Sequence, residues 1–482
     1  MVLALLLIGV PIAFGLVAFA LPSERWRPLL LPLGGAAQLA MVALVLSRGG
    51  VAGMDGWLGL DPLSEIILGL VSLLFFVAAL YAPGYLRLRR THSNRIFCTA
   101  LFAFLAMMTL VCESHHLGLL WVAMEATTLV SAPLLYFNRN PRSLEATWKY
   151  LLVGSVGIAL ALLGTFFLAY AAVYAGLHPS LLLSDLVRVA PQLSRPWLHA
   201  AFVLVFVGYG AKMGLAPMHT WKPDAYGEAP GIVGMLLAGG LTSCAFLAML
   251  RYFQICAAAG EAAFARRLLI ALGLLSMAVA GVFMARQRDY KRLLAYSSVE
   301  HMGILVLGIG IGGGAVYGAL LHVINNGLTK GVLFLAAGNI HRAYGSKRVA
   351  EVSGALRRVP VSAALLLAGF FAITGSPPFG PFLSEFTIVR AAMVGGHFAI
   401  AGAFLALLFV VFAGMGATIL AVVQGTPGKI PSDREDSEFH DGVLTVGPPV
   451  LLLALVLCLG VYVPPVLDTM LHQAAAFLEA SP

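Results

Sequence analysis

Apolar stretches of about twenty residues recur along the whole chain, parted by short polar clusters, and they show no period-two alternation. A run of that length crosses a bilayer as a helix, whereas barrel strands alternate over about ten residues. Fourteen such segments are predicted, at 1–21, 28–47, 61–83, 96–113, 117–137, 148–175, 199–218, 229–250, 267–285, 293–311, 313–340, 360–391, 396–424 and 444–466. The fold class expected is an all-α polytopic membrane protein of about fourteen transmembrane helices. The stretches 313–340 and 360–391 exceed a plain span, which predicts tilt or breaks there. Outside the spans, residues 176–198 predict a short amphipathic surface helix, and 425–443 a polar loop.

Composition agrees with a membrane protein. Of 482 residues 60% are hydrophobic and only 11% charged, against about 25% charged in soluble domains. The net charge of +8 points to no nucleic-acid partner, because the basic residues sit in short loops on one side. Twenty-one of the thirty Lys and Arg fall in alternate loops, among them Arg25, Arg27, Arg89, Arg90, Lys222, Arg292, Lys429 and Arg434. The opposite loops hold six, including Arg251 and Arg266, and Lys212, Lys330 and Arg390 lie within spans. By the positive-inside rule the rich side is cytoplasmic and both termini face outward. Ala18-Phe19-Ala20 resembles a cleavage site, but no basic residue precedes it, so 1–21 reads as an uncleaved first helix. The five cysteines form no CxxC pair and encode no zinc or iron–sulfur site. No phosphate loop, dinucleotide fingerprint, HExxH or GxSxG is present, and IGIGGG at 308–313 reads as glycine packing between helices.

Charges inside the spans carry the functional signal, because each costs a few kcal/mol on insertion scales and needs a partner or a task. Lys212 stands well inside an apolar run, five residues before Pro217, which is expected to interrupt its helix. A charge beside a broken helix is the usual form of an intramembrane ion site, the alternative being a lysine that snorkels to the interface. Glu125, mid-span, is the expected partner of Lys212. A carboxylate beside a lysine favours the ammonium, and its removal favours proton release, so the pair can switch; a static ion pair is the alternative. His322, Asn326 and Lys330 share one helical face, and Asn325-Asn326-Gly327 invites local unwinding. Such a file can relay protons, although one histidine alone is more often a core residue. Glu300 reads as a solvated helix-end charge, with His301 deeper. Pro377 and Pro378 mark a second break, followed by Glu385 and Arg390. Breaks in both parts of the chain suggest a repeat with an ion path at the junction.

The segments AKMGLAPMHTWKPDAYGEAP, DYKRLLAYSSVEHMGIL, LTKGVLFLAAGNI and GSPPFGPFLSEF together resemble the antiporter-like membrane subunits of respiratory complex I, group 4 [NiFe] hydrogenases and Mrp antiporters. The YGEAP and SVEHMG wording is most similar to hydrogenase-4 component F and formate hydrogenlyase subunits. The resemblance implies two inverted five-helix repeats, with the seventh and twelfth helices broken. It divides the chain into 1–95, a first repeat at 96–250, a second at 267–424, and 425–482 with a loop and the last helix. It implies a proton path through Glu125, Lys212, His301, His322, Lys330 and Glu385, with no cofactor or metal of its own. An eighth-helix lysine common among members is absent; Thr242 and Ser243 stand in that neighbourhood. The function implied is proton translocation in a bacterial inner-membrane oxidoreductase complex, of [NiFe] hydrogenase or formate hydrogenlyase type. Implied partners are further membrane subunits and a peripheral arm with hydrogenase and iron–sulfur subunits. An Mrp-like Na+/H+ antiporter or an inorganic-carbon uptake subunit is the alternative.

Overall fold

The computed structural model describes residues 2–48, 52–87, 93–426 and 439–479. Arg89, Arg90, Lys429, Arg434 and the middle of the predicted 425–443 loop lie outside the described residues. The elements in order are α1 (Val2–Ala20), α2 (Arg27–Arg48), a small hairpin of β1 (Ala52–Gly53) and β2 (Leu58–Gly59), α3 (Pro62–Arg87), α4 (Arg95–Glu113), α5 (Leu117–Leu135), α6 (Pro141–Tyr174) and α7 (Leu183–Val189). Then come α8 (Arg195–Met213), α9 (Trp221–Glu228), α10 (Gly231–Met235), α11 (Thr242–Ala258), α12 (Ala262–Met284), α13 (Tyr290–Ile311) and α14 (Gly314–Tyr344). The last are α15 (Ala355–Arg358), α16 (Pro360–Ile373), α17 (Gly380–Val394), α18 (Phe398–Val423), α19 (Val443–Val461) and α20 (Pro465–Glu479). A π-helical turn, Leu236–Leu241, joins α10 to α11 into one rod.

Among the described residues twelve helices are long and apolar enough to cross a membrane. Two of the fourteen predicted segments are interrupted instead, the one at α8 and α9 and the one at α16 and α17. The expected surface helix is α7. The sixth span begins at Pro141 rather than 148, because Asn140 caps the helix through Ser143 N at 2.7 Å and Pro141 takes the first turn. α20 was not expected from the apolar pattern. It is an amphipathic helix of 15 residues, held through Glu479 to Gly313 N at 2.6 Å and Arg266 at 3.2 Å.

Helices α11, α13 and α14 form the centre, and nearly every residue of α14 is buried. The expected unwinding at Asn325-Asn326-Gly327 does not occur, and α14 runs unbroken for 31 residues. Asn325 spends its amide on Gly380 O at 2.9 Å instead of on its own backbone. The irregular turn lies opposite, where the π-helical Gly239 packs on Gly327. Outer helices turn large apolar residues outward, among them Val156, Phe166, Val282 and Phe409. In hydrocarbon such a face carries no penalty.

The connecting loops sort into two sets. One set is tied by Ser93 to Glu24, Asn138 to Glu228 O, Lys149 to Asp224 and Lys347 to Glu228. The other is tied by His115 N to Trp57 O, Arg195 to Glu261 and Arg266 to Glu479. Several basic residues placed in loops by the sequence pattern are buried: Arg27, Lys222, Arg251 and Lys291. Arg251 forms an ion pair with Asp61, and Arg251 Nη2 donates to Ser64 Oγ at 2.6 Å. Each stands near a helix end along the chain, but the helices around it are longer and enclose it.

Candidate functional site

The first break follows from one glycine. α8 ends at Met213, and Gly214 takes φ +77, ψ +43, the left-handed geometry that closes a helix. Gly214 N and Leu215 N both donate to Gly210 O at 2.8 Å. Pro217 therefore lies in the connecting segment, three residues beyond the Gly214 cap. Unwound backbone inside a membrane protein needs internal partners. Here Ser276 of α12 accepts Ala216 N at 3.0 Å, and Trp221 Nε1 donates to Ala211 O at 2.9 Å.

Lys212, in the last turn of α8, is fully buried. Its Nζ donates to Thr128 Oγ1 at 2.5 Å and Tyr150 OH at 3.3 Å, and lies 5.0 Å from the Tyr150 ring. Glu125 is only partly buried, on the edge of α5. Ser155 Oγ donates to Glu125 Oε1 at 2.7 Å, and Thr128 Oγ1 to Glu125 Oε2 at 3.4 Å. Glu125 and Lys212 thus face one hydroxyl from opposite sides and form no direct ion pair. The expected partners thus meet through Thr128, and the static ion pair weighed as the alternative is not formed.

The second break repeats the device. α16 ends at Ile373, Gly375 takes φ +68, and Pro377 and Pro378 fill the connection to α17. Cis peptide bonds precede Pro217 and Pro378. Glu385, on α17, is 4% exposed, and its Oε2 lies where a side chain at Gly375 would be. Next to it, Ser384 meets His322 Nδ1 at 2.9 Å, and His322 Nε2 meets His301 Nδ1 at 2.9 Å. Lys330 Nζ donates to Ser297 Oγ at 2.6 Å. Arg390 is exposed on α17 and takes no part.

Two residues missed by sequence reasoning join this cluster. Glu300 is buried rather than solvated, with Oε2 at 3.8 Å from His301 Nε2. Lys222 is buried on α9, with Nζ at 3.0 Å from Ser298 Oγ. Where members of the resembled family place an eighth-helix lysine, Thr242 and Ser243 stand, and their hydroxyls bond Ala238 O and Gly239 O at 2.7 Å.

His301, His322 and Glu385 offer ligand atoms within 4.8 Å of one another. Both His322 nitrogens already have partners, so the set is organised as a hydrogen-bonded string that can pass a proton along its rings and hydroxyl. Among the described residues Glu385 Oε1, Glu300 Oε2 and His301 Nε2 have no hydrogen-bond partner, which leaves buried polar atoms without protein partners. On the face of the Lys149, Asp224 and Lys347 contacts, a cavity of about 1310 Å3 opens between Arg142, Glu228, Asp289 and His341.

Residues 114–412 match the sequence profile described as NADH:quinone oxidoreductase/Mrp antiporter, TM. The chain is 36% identical over 415 residues to the hydrogenase-4 component F homolog of Methylacidiphilum infernorum, covering 84% of this chain and 85% of that protein. It is 31% identical over 398 residues to NADH-quinone oxidoreductase subunit N of Desulforudis audaxviator, covering 79% and 77%. Its fold superposes on a chain of the membrane-bound sulfane sulfur reductase, an archaeal respiratory membrane complex, with a TM-score of 0.86, 22% identity and 99% and 97% coverage.

Proposed function

This chain belongs to the NADH:quinone oxidoreductase/Mrp antiporter family of membrane subunits, and from that premise we propose that it carries protons across the membrane within a complex I-like oxidoreductase of [NiFe] hydrogenase or formate hydrogenlyase type. One observation carries the reading: buried titratable groups collect at two helix breaks and are linked by hydroxyls and rings. Glu125, Thr128 and Lys212 form the first group. Lys330 with Ser297, and His301, His322, Ser384 and Glu385, form the second. Buried groups of this kind are costly unless they work.

In this reading the chain holds no redox centre; electrons move in partner subunits. A change in Glu125, by neutralisation or by displacement, removes what holds the proton on Lys212. The released proton passes inward, and His301, His322 and Ser384 hand protons on toward Glu385. The half-bonded geometry at Thr128 suits this role, because a tight contact pair would hold its proton in place. The hydrogenase assignment rests on the 36% identity to a hydrogenase-4 component F homolog.

The test has two parts. The chain is purified from its native membrane with whatever accompanies it, and nickel, iron and iron–sulfur signals are measured. Stoichiometric nickel and iron support the hydrogenase type, and small antiporter subunits alone refute it. The same complex with Glu125→Gln is then placed in proteoliposomes. Proton transport is expected to fall at least about tenfold at unchanged assembly, and unchanged transport refutes a role for Glu125.

A further inference from the structure

We propose that Lys222 is a third proton-carrying lysine, set between Lys212 and Lys330 so that it joins the two breaks into one path. The inference deepens the proton-carrying function given above and rests on it.

Lys222 lies in the first turn of the short helix α9, in a stretch the apolar pattern placed in a loop, yet it is 0% exposed. It reaches back from α9 across Gly214, the residue that ends α8. A Cβ at Gly214 would overlap Lys222 Cε where it now lies, and the left-handed φ of Gly214 favours glycine there. Glu385 does the same at the second break, reaching back from α17 over Gly375. Both glycines have positive φ, +77 and +68. The counterpart of Glu385 is therefore Lys222, which follows its break, and not Lys212, which precedes it.

The bonding of Lys222 is sparse. Its Nζ has Ser298 Oγ at 3.0 Å and Ser298 O at 3.4 Å, with the Tyr226 ring at 5.7 Å. No carboxylate pairs with it among the described residues. An ammonium has three N–H donors, and burying it with so few acceptors and no counter-charge is expensive. A neutral amine is easily accommodated in the same place. The site suits a group that changes between the two forms.

Its position completes the argument. Ser298 is next to Ser297, which accepts Lys330 Nζ at 2.6 Å. Adjacent hydroxyls of α13 thus hold one lysine from α9 and one from α14. On the other side, Gly214 lies two residues beyond Lys212. The neutral amine of Lys222 accepts one proton released at Lys212, and its ammonium gives one proton, by way of the α13 serine hydroxyls, to the neutral amine of Lys330. Only N–H and O–H bonds form and break, and charge is conserved.

The purified complex carrying the full chain is reconstituted in liposomes, and acidification is followed with a pH-sensitive dye. Lys222→Met, Lys222→Arg, Lys222→His and Lys212→Ala are compared at equal recovery of the chain with its partners. Lys222→Met is expected to lose at least tenfold in transport. Lys222→Arg keeps the charge but cannot release a proton, and is expected to be as poor. Lys222→His can bind and release one, and is expected to exceed both. Wild-type transport in Lys222→Arg, or in Lys222→Met while Lys212→Ala is inactive, overturns the role of Lys222 alone. Full transport in Lys212→Ala as well overturns the function it rests on. Poor recovery of Lys222→Met leaves the Arg and His pair to decide.

Discussion

The two breaks use the same backbone device and surround it differently. At the first, Glu125 stands partly exposed on α5, and a single hydroxyl separates it from the buried Lys212. At the second, every member from His301 to Glu385 is buried, and His322 meets both His301 and Ser384 at 2.9 Å. An open, loosely bonded group can be altered from outside, by a neighbouring subunit or by a change of protonation. A closed string can only pass on what reaches it. Under the proposed function, control falls to the first break and conduction to the second.

A third charged pair marks what a clamp looks like in this fold. Arg251 and Asp61 are in direct contact, and His115 Nε2 is 3.2 Å from the same carboxylate. Burial alone would raise the Asp61 carboxyl, but Arg251 and His115 outweigh it and hold it below the usual range. Lys212 and Glu125 make no such direct contact and meet only through Thr128.

The comparison is open to measurement. His322→Ala removes both ring contacts of the closed string and is expected to lower proton transport about 100-fold; activity near wild type would mean the second break does not conduct. Asp61→Asn leaves the buried Arg251 guanidinium unpaired and is expected to cost about 3 kcal/mol of stability, read as faster inactivation in detergent, with transport per assembled complex unchanged. A loss of transport without a loss of stability would make that pair a switch and erase the distinction. Thr128→Val keeps the shape and removes the bridging hydroxyl, worth about 1 kcal/mol or a factor of about 5 in transport. No change would show that Glu125 and Lys212 communicate by another route.

The smallest effect lies outside the membrane. Glu24 accepts from Ser93 Oγ at 2.6 Å and Asn94 N at 2.9 Å, with Arg27 at 3.0 Å. Burial acts to raise its carboxyl, but these hydrogen bonds and Arg27 leave it lowered. A lowered carboxyl stabilises the fold above its unfolded pKa of about 4.3 and ceases to do so as pH falls through the folded value. Glu24→Gln is expected to lower the thermal midpoint by about 1 °C at pH 7, with the difference vanishing in acid. A difference that grows in acid would contradict the sign.

Much of this was legible before the structure, for physical reasons. A bilayer demands long apolar runs, so twelve predicted segments fall on continuous helix and the other two on helices broken within the segment. Lys212, His322 and Lys330 stood out because a charge in an apolar run is rare. Lys222, Glu300 and Arg251 were misread because closeness to a helix end along the chain says nothing about what packs over that end. Pro217 drew attention to the first break, but the left-handed Gly214 ends the helix earlier. Distances belong to the fold alone: no spacing between Glu125 and Lys212 could reveal Thr128 between them. α20 escaped because its amphipathic pattern lacks a full apolar run.

The central claim is that protons cross through these buried groups while electrons move elsewhere. Its most direct test records both at once, in proteoliposomes holding the whole complex with Lys212→Ala. The account predicts that acidification falls at least about tenfold while the redox centres of the partner subunits remain present and reducible. Acidification at the wild-type rate, in a complex fully assembled around the altered chain, would contradict it.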